Sequence, residues 1–393
     1  MDLFDKCRVE IVEKATAENV YPYFHQIESK QAPEVIMEGS RRIMLGSNNY
    51  LGLTSNPDVI AAGVRALEKY GSGCSGSRFL NGTLDLHVQL ESELADFLNK
   101  EDVMTFSTGF QSNLGIISAI AGRGDYIFCD KENHASIYDG CKLSYAKTIR
   151  FNHSDMAHLE TALQSVPLES GKLIVTDGVF SMGGDICKLP EIVELAQKYK
   201  ARVMVDDAHG VGVVGKTGRG TAEYFGVTGK IDLNVGMLSK GPGGLGGYCA
   251  ASRKVVQYLR LYARSYFFST ALPASVAGGL NEVFKLLASD NAGREKLWEN
   301  INYLKLKLSE KGFDIGNSQS AVIPVMIYSE PVLFELYDKL RRNGVYVNIV
   351  TYPAVRRKEC RMRLCAMKDL NFEQIERAVD IIAKYAREYN VIS

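Results

Sequence analysis

Apolar and polar positions follow one another in two rhythms along the chain, one typical of buried strands and one of amphipathic helices. The clearest succession is an apolar run at 172–177, a helical spacing that begins at Pro190, and a β-branched run at 203–205 that ends in two carboxylates. Strand, helix and strand at this spacing predict a right-handed βαβ unit in a buried parallel sheet. The pattern therefore indicates an α/β protein.

Other segments extend this pattern over the whole chain. Further strands are predicted at 103–106, 126–129, 233–238 and 246–251, and helices at 59–70 and 274–288. A smaller α/β unit follows, with strands at 322–328, 346–350 and 361–366 and helices at 331–342 and 372–389. We expect an N-terminal arm at 1–50, a large domain at 51–285 and a small C-terminal domain at 286–393.

Composition favours small-molecule chemistry in a reducing compartment. Lys plus Arg and Asp plus Glu both number 46, without a long block of one sign, so nothing suggests a nucleic-acid partner. The eight cysteines are scattered and form no C-x-x-C pair, which fits neither a disulfide scaffold nor a metal site. The N-terminal segment 1–18 has no signal-peptide apolar region, and the longer apolar runs are too short to span a bilayer. We expect a soluble, cytoplasmic protein with no bound metal.

Four chemically active side chains follow predicted strand ends: Asp206, His209, Lys240 and His134. A carboxylate, imidazoles and a lysine at such positions are what pyridoxal 5'-phosphate requires, namely a partner for the ring nitrogen, ring contacts and a Schiff-base amine. The plain alternatives are a buried aspartate that caps a loop, structural histidines and a solvated lysine. The glycines that follow Lys240, and Ser239 before it, favour a ligand site.

Two further segments carry weaker signals. The segment 108–113 passes from a strand into a helix, where exposed amides would hold a phosphate dianion. The segment 71–76 matches G-x-G-x-x-G but follows a helix, which argues against a dinucleotide site. Arg363 lies in a predicted strand and suits a substrate carboxylate, although a salt bridge within the small domain explains it equally well.

Taken together, the motifs resemble the α-oxoamine synthases, fold-type I pyridoxal-phosphate enzymes that join an amino acid to an acyl thioester with loss of carbon dioxide. The matching segments run in order through almost the whole chain: 47–53, 76–78, 81–83, 107–110, 134–136, 177–182, 206–209 and 239–240. Within the family, 21–24, Gln31 and 75–85 are most similar to the soluble bacterial serine palmitoyltransferases. The resemblance implies a large mixed, mostly parallel seven-stranded sheet and a smaller C-terminal α/β domain.

The resemblance also implies roles for individual residues. Lys240 carries the cofactor, Asp206 pairs with its ring nitrogen, His209 bonds the ring oxygen near Ser181, and His134 stacks on the ring and polarises the thioester. The residues implied in holding cofactor or phosphate are Thr108, Gly109, Phe110, Ser239 and, across a homodimer interface with shared active sites, Ser269 and Thr270. Those implied for the substrate are Asn48, Arg363 and Ser77.

Several positions depart from the family pattern around this centre: Met237, the 241–244 turn, Gly183, His25 and Lys368. The resemblance therefore implies an acyl-CoA or acyl carrier protein donor condensing with serine or, through Lys368, a sulfonate analogue such as cysteate, to give a sphingoid or sulfonolipid base. A short-chain synthase that uses glycine or alanine and a non-catalytic regulatory subunit are the alternatives. Peripheral association with a membrane is left open.

Overall fold

The computed structural model describes residues 2–18, 20–289 and 291–393, without the side chain of residue 11. The strands in these ranges are β1 (Glu34–Met37), β2 (Ser40–Met44), β3 (Asp102–Phe106), β4 (Tyr126–Asp130), β5 (Lys147–Phe151), β6 (Lys172–Asp177), β7 (Arg202–Asp206), β8 (Leu233–Met237), β9 (Gly247–Ala251), β10 (Val322–Met326), β11 (Val345–Tyr346), β12 (Asn348–Val350) and β13 (Arg361–Cys365).

The α-helices in the same ranges are α1 (Glu10–Ala17), α2 (Pro57–Tyr70), α3 (Asp85–Leu98), α4 (Gly109–Ile120), α5 (Ala135–Leu143), α6 (Met156–Gln164), α7 (Leu189–Lys198), α8 (Thr221–Tyr224), α9 (Arg253–Tyr262), α10 (Arg264–Phe267), α11 (Ala274–Ser289), α12 (Ala292–Glu310), α13 (Glu330–Arg342) and α14 (Phe372–Glu388). Short 3₁₀ turns lie at Leu3–Lys6, Leu53–Ser55, Thr228–Lys230 and Arg357–Glu359.

A seven-stranded sheet forms the centre of the molecule, in the order β3-β9-β8-β7-β6-β4-β5. β9 runs antiparallel to both of its neighbours, and the remaining pairs are parallel. The predicted βαβ unit is β6, α7 and β7, and β6 is buried along its whole length, as an apolar run covered on both faces should be. The expected α/β class and the mostly parallel sheet are thus confirmed.

Helix boundaries follow local capping chemistry. α2 begins at Pro57, where the ring preorganises the first turn, and the Asn56 side chain accepts hydrogen bonds from the amides of Asp58 and Val59. It ends at Gly71, whose φ of 81° is readily adopted only by glycine. The start of the G-x-G-x-x-G match is therefore a helix terminus, as expected, and not a strand-to-helix phosphate loop.

Two small sheets join sequence-distant segments. β1 pairs with β2, and β2 also pairs with β11, so part of the predicted arm is hydrogen-bonded to the C-terminal region. The single strand expected at 346–350 is wrong: the chain breaks at Val347, because β11 pairs with β2 whereas β12 pairs with β13 in a different sheet. The domain boundaries at 50 and 285 stay a prediction, and the β2–β11 hydrogen bonds join the expected arm directly to the expected small domain.

A search of the described ranges for membrane-spanning helices found none of sufficient length and apolar character. The same ranges contain no group of His, Cys, Asp and Glu side chains arranged to hold a metal ion.

Candidate functional site

The carboxyl ends of the parallel strands meet at one edge of the large sheet, which is where open α/β sheets place ligands. Asp177 at the end of β6 lies directly beside Asp206 at the end of β7. A cavity of about 240 Å³ opens at this edge. Its lining residues are Thr108, Gly109, Phe110, His134, Asp177, Val179, Ser181, Asp206, Ala208, His209, Met237, Ser239 and Lys240.

Lys240 presents a reactive amine to this cavity. It follows β8 directly, is half-buried, and its Nζ lies 2.9 Å from Nε2 of His209. Burial lowers the pKa of Lys240 to about 8, and the charge of Arg363 acts in the same direction against the opposing charge of Asp206. A substantial fraction of the amine is therefore neutral near physiological pH, which an attacking amine requires.

Asp206 is a buried carboxylate held in a fixed orientation. Its Oδ2 accepts a 2.7 Å hydrogen bond from Nδ2 of Asn113, and its Oδ1 accepts a 3.1 Å bond from the amide of Ala208. Lone pairs remain on both oxygens for a protonated ligand atom. The sequence pattern did not predict a role for Asn113 in this site. An asparagine on the apolar face of α4, one turn after the helix begins, could have indicated it.

Asp207 points to the other side of the strand, as alternation requires. Its Oδ2 accepts hydrogen bonds from the amide and hydroxyl of Thr221, at 2.6 and 3.1 Å. Burial raises the pKa of Asp207 to about 7, since the surrounding protein stabilises its charge only partly. It belongs to the packing below the site.

His209 is buried and bonded through both ring nitrogens. Its Nε2 faces Lys240, and its Nδ1 lies 2.7 Å from the hydroxyl of Tyr50. Burial lowers the pKa of His209 well below its usual value, with the positive charges of Lys240 and Arg363 adding to the effect. The imidazole is therefore neutral. Tyr50 lies within the 47–53 segment that resembles the family, but the resemblance did not predict a role for it in the site.

The start of α4 forms a cradle for an anion. Thr108 caps the helix by accepting from the amide of Gln111, so the amides of Gly109 and Phe110 lie in the first turn, at the positive end of the helix dipole. A Cβ on Gly109 would stand 1.5 Å from Sδ of Met237, so any larger residue there would displace the Met237 side chain. Ser239 lines the same cavity.

The second histidine, His134, caps α5. Its Nδ1 lies 2.8 Å from the hydroxyl of Ser136, and its backbone amide donates a 3.1 Å hydrogen bond to Asp177. Burial lowers the pKa of His134, so its ring is neutral, and burial together with the charge of Asp206 raises the pKa of Asp177 well above its usual value. His134 lies 6.4 Å, centroid to centroid, from the ring of Phe110.

Arg363 approaches the site from the small sheet. Its Nε donates to the carbonyl of Ser181 at 2.6 Å, and both Nη atoms donate to Oδ1 of Asn48 at 3.2 Å. In the described residues no carboxylate pairs with it, so the salt bridge that was the plain alternative is not formed. A buried guanidinium whose charge has only neutral partners is suited to an incoming carboxylate.

The remaining expected residues lie beside the helix start. The Ser269 hydroxyl accepts a 3.1 Å hydrogen bond from Gln111, and Ser107 donates to the carbonyl of Thr270. Ser77 forms an isolated bridge with Thr270 and is absent from the cavity lining. The structure therefore places Ser77 on the loop that supports 269–270.

Only some of the residues that differ from the family pattern lie at the site. Met237 lines the cavity, and Gly243 and Gly244 line an adjoining cleft of about 400 Å³. His25 lies elsewhere, 2.6 Å from Glu38, and Lys368 forms a 2.6 Å ion pair with Asp369.

These features fit pyridoxal phosphate. The cavity combines an amine with a lowered pKa, a fixed carboxylate with spare lone pairs and a helix start that begins with glycine. These three features match the aldehyde, the ring nitrogen and the phosphate of that cofactor.

Comparison with known proteins gives concordant results. Residues 40–382 match the family model described as aminotransferase class I and II. A serine palmitoyltransferase from Sphingobacterium spiritivorum is 47% identical to this chain, over an alignment that covers 98% of this chain and 96% of that protein. An 8-amino-7-oxononanoate synthase from Thermoanaerobacter pseudethanolicus is 41% identical, over an alignment that covers 99% of this chain and 98% of that protein. A solved structure described as SPT with the PLP internal aldimine superposes with a TM-score of 0.96 at 37% identity, and each chain is fully covered.

Proposed function

Because this chain belongs to the aminotransferase class I and II family, and within it to the α-oxoamine synthases, we propose that it condenses L-serine with a long-chain acyl thioester. Carbon dioxide and the thiol leave, and the product is a 3-keto long-chain base. The chain is a pyridoxal-phosphate-dependent acyltransferase of this family. The observation that carries the reaction class is the convergence of Lys240, His209 and Asp206 beside the start of α4.

The cofactor is held by residues already in position. Asp206, fixed by Asn113, would hold the ring nitrogen; the first amides of α4 and the hydroxyl of Ser239 would hold the phosphate; and Lys240 would supply the amine for the aldehyde. When bound, pyridoxal phosphate supplies an electron-withdrawing ring that makes the α-proton of an amino acid acidic. The Nζ of Lys240, with its lowered pKa, accepts that proton.

Substrate recognition uses the groups at the cavity rim. Arg363 and Asn48 receive the carboxylate of the amino acid, since the guanidinium has only neutral partners among the described residues. The neutral imidazole of His134 lies in the cavity lining, where it orients the acyl thioester and polarises its carbonyl oxygen.

Serine is preferred over cysteate on electrostatic grounds. A sulfonate side chain needs an available cation, but Lys368 is paired with Asp369 and is absent from the linings of both the cavity and the adjoining cleft. A long acyl chain is supported by the identity of 47% to a serine palmitoyltransferase, against 41% to an 8-amino-7-oxononanoate synthase.

Substrate preference is tested with purified holoenzyme and a grid of amino acids and thioesters. Serine, cysteate, glycine and alanine are each combined with palmitoyl, acetyl and pimeloyl thioesters, and products are identified by mass. The serine and palmitoyl pair should give the highest kcat/KM, and Lys368→Met should leave the KM for serine unchanged. Preference for glycine or alanine with a short donor would assign the chain to the short-chain synthases, and loss of cysteate turnover in Lys368→Met would restore the sulfonolipid reading.

We further propose that the active form is a homodimer in which Ser269 and Thr270 reach the partner's phosphate site. Exposed aromatic and aliphatic side chains surround these residues: Phe79, Leu80 and Phe268 are 50%, 75% and 69% exposed. Such a patch is typical of a protein interface. Light scattering should give twice the monomer mass, and Phe268→Glu should lower both the dimer fraction and the cofactor affinity. A fully active monomer would contradict this arrangement.

A further inference from the structure

A row of hydrogen bonds connects the carboxylate-binding arginine to the reactive lysine. Both Nη atoms of Arg363 donate to Oδ1 of Asn48, and the hydroxyl of Tyr50 lies 3.2 Å from the same oxygen. That hydroxyl lies 2.7 Å from Nδ1 of His209, whose Nε2 lies 2.9 Å from Nζ of Lys240. Tyr50 is the middle member of this row.

The direction of each hydrogen bond follows from the protonation states. Burial raises the pKa of Tyr50 well above its usual value, so its hydroxyl keeps its proton, while His209 is neutral and carries a single N–H. When Lys240 is an ammonium, it donates to Nε2, so Nδ1–H donates to the Tyr50 oxygen and the Tyr50 hydroxyl donates to Asn48. When Lys240 is a neutral amine, it has a lone pair that can accept from Nε2–H, and in that arrangement Tyr50 donates to Nδ1 instead.

We propose that Tyr50 is a positioning residue that allows His209 to change its tautomer with the protonation of Lys240 and thereby links Lys240 to the Asn48–Arg363 carboxylate site. Tyr50 is suited to this role because it is fully buried and its hydroxyl acts as donor or acceptor without changing charge. The inference rests on the proposed function only in that a substrate carboxylate binds at Arg363, and it holds whichever amino acid is used.

Removing the hydroxyl should change the lysine. In Tyr50→Phe the ring packing stays, but the hydrogen bonds of its hydroxyl are lost. The ammonium state of Lys240 loses two of them, from Nδ1–H of His209 and to Asn48, whereas the neutral state loses only the one to Nδ1. Because the ammonium state loses one hydrogen bond more, the pKa of Lys240 should fall by about one unit. The charged and titratable groups that face Lys240 or His209 are Asp177, Asp206, Arg363, Cys365 and His134, and none of them is altered by this change.

The pKa of Lys240 is measured in the cofactor-free protein by competitive labelling with acetic anhydride, with the Lys240 peptide quantified by mass spectrometry at each pH. The wild type should titrate near pH 8, and Tyr50→Phe about one unit lower. Tyr248→Phe is the matched control, since Tyr248 is buried and its hydroxyl has no partner in the described part of the chain. An unchanged midpoint in Tyr50→Phe would overturn the proposal.

A second measurement reads the tautomer directly in the wild-type protein, and a variant serves only to assign the signal. Nitrogen-15 NMR of labelled histidines, with His209 assigned through His209→Gln, should show an Nδ1–H tautomer below about pH 8 and Nε2–H above it. A tautomer that stays the same at every pH, whether Nδ1–H or Nε2–H, would also overturn the proposal. Neither measurement uses a substrate, so both stand if the amino acid proves to be other than serine.

Discussion

Gly109 and Met237 should be coupled in stability and in cofactor binding. A Cβ at position 109 would stand 1.5 Å from Sδ of Met237 and 2.8 Å from its Cε. Because non-bonded carbon contacts lie at about 3.5–4.0 Å, the methyl group has no space. The start of α4 already packs closely on Gly247, where even an added Cβ would stand 2.7 Å from the Cα of Gly109, so a shift of the helix toward β9 gives no relief. In Gly109→Ala, Met237 must therefore swing into the cavity.

The expected costs follow from that displacement. Overpacking of this kind costs about 1–3 kcal/mol of unfolding free energy. A thioether in the phosphate cradle should weaken pyridoxal phosphate binding at least tenfold, which corresponds to about 1.4 kcal/mol. Met237→Ala removes Sδ, Cε and Cγ, so the double variant Gly109→Ala/Met237→Ala should be no less stable than Met237→Ala alone and should regain cofactor affinity.

Urea unfolding of the cofactor-free protein and equilibrium dialysis against pyridoxal phosphate measure the two effects. Gly73→Ala is the control, because a Cβ there would meet nothing within 4 Å, and it should change stability by no more than about 0.5 kcal/mol. The reasoning is refuted if the two substitutions add independently, or if Gly109→Ala binds the cofactor like the wild type.

Two other contacts give further predictions. Asn113→Ala removes the 2.7 Å hydrogen bond to Asp206 and should weaken cofactor binding by about 1.5–3 kcal/mol in dialysis; unchanged affinity would show that Asp206 needs no such support. Burial opposes the charge of His153, but hydrogen bonds to Asp130 and Asp185 outweigh it and raise its pKa to about 10. His153→Gln should therefore cost about 1–3 kcal/mol in urea unfolding below pH 6.5, with the cost declining as pH rises through 10, and a pH-independent cost would contradict the assignment.

Local pattern predicted the large sheet well. An apolar run reports burial on both faces, so β6 was predicted at its observed bounds, and β8 and β9 to within one residue at one end. The same pattern failed at 346–350, where the chain breaks at Val347, an apolar residue with strong strand propensity, and the two halves pair with different sheets. A short strand joins the sheet in which its partner strand lies, and the local sequence does not predict that partner.

The amino-acid sequence by itself determined the fold class, the family and the chemical groups at the strand ends, since side-chain type and period are local properties. Lys240, Asp206 and His209 were all found in that way. The tertiary structure alone decided which groups support them: Tyr50 and His209 are 159 residues apart, and Asn113 and Asp206 are 93 apart. A hydrogen bond depends on a separation of about 3 Å and on its angle. The separation and angle of each hydrogen bond are set only when the strands and helices pack. Packing therefore determines which reactive residues form one site and where its protons lie.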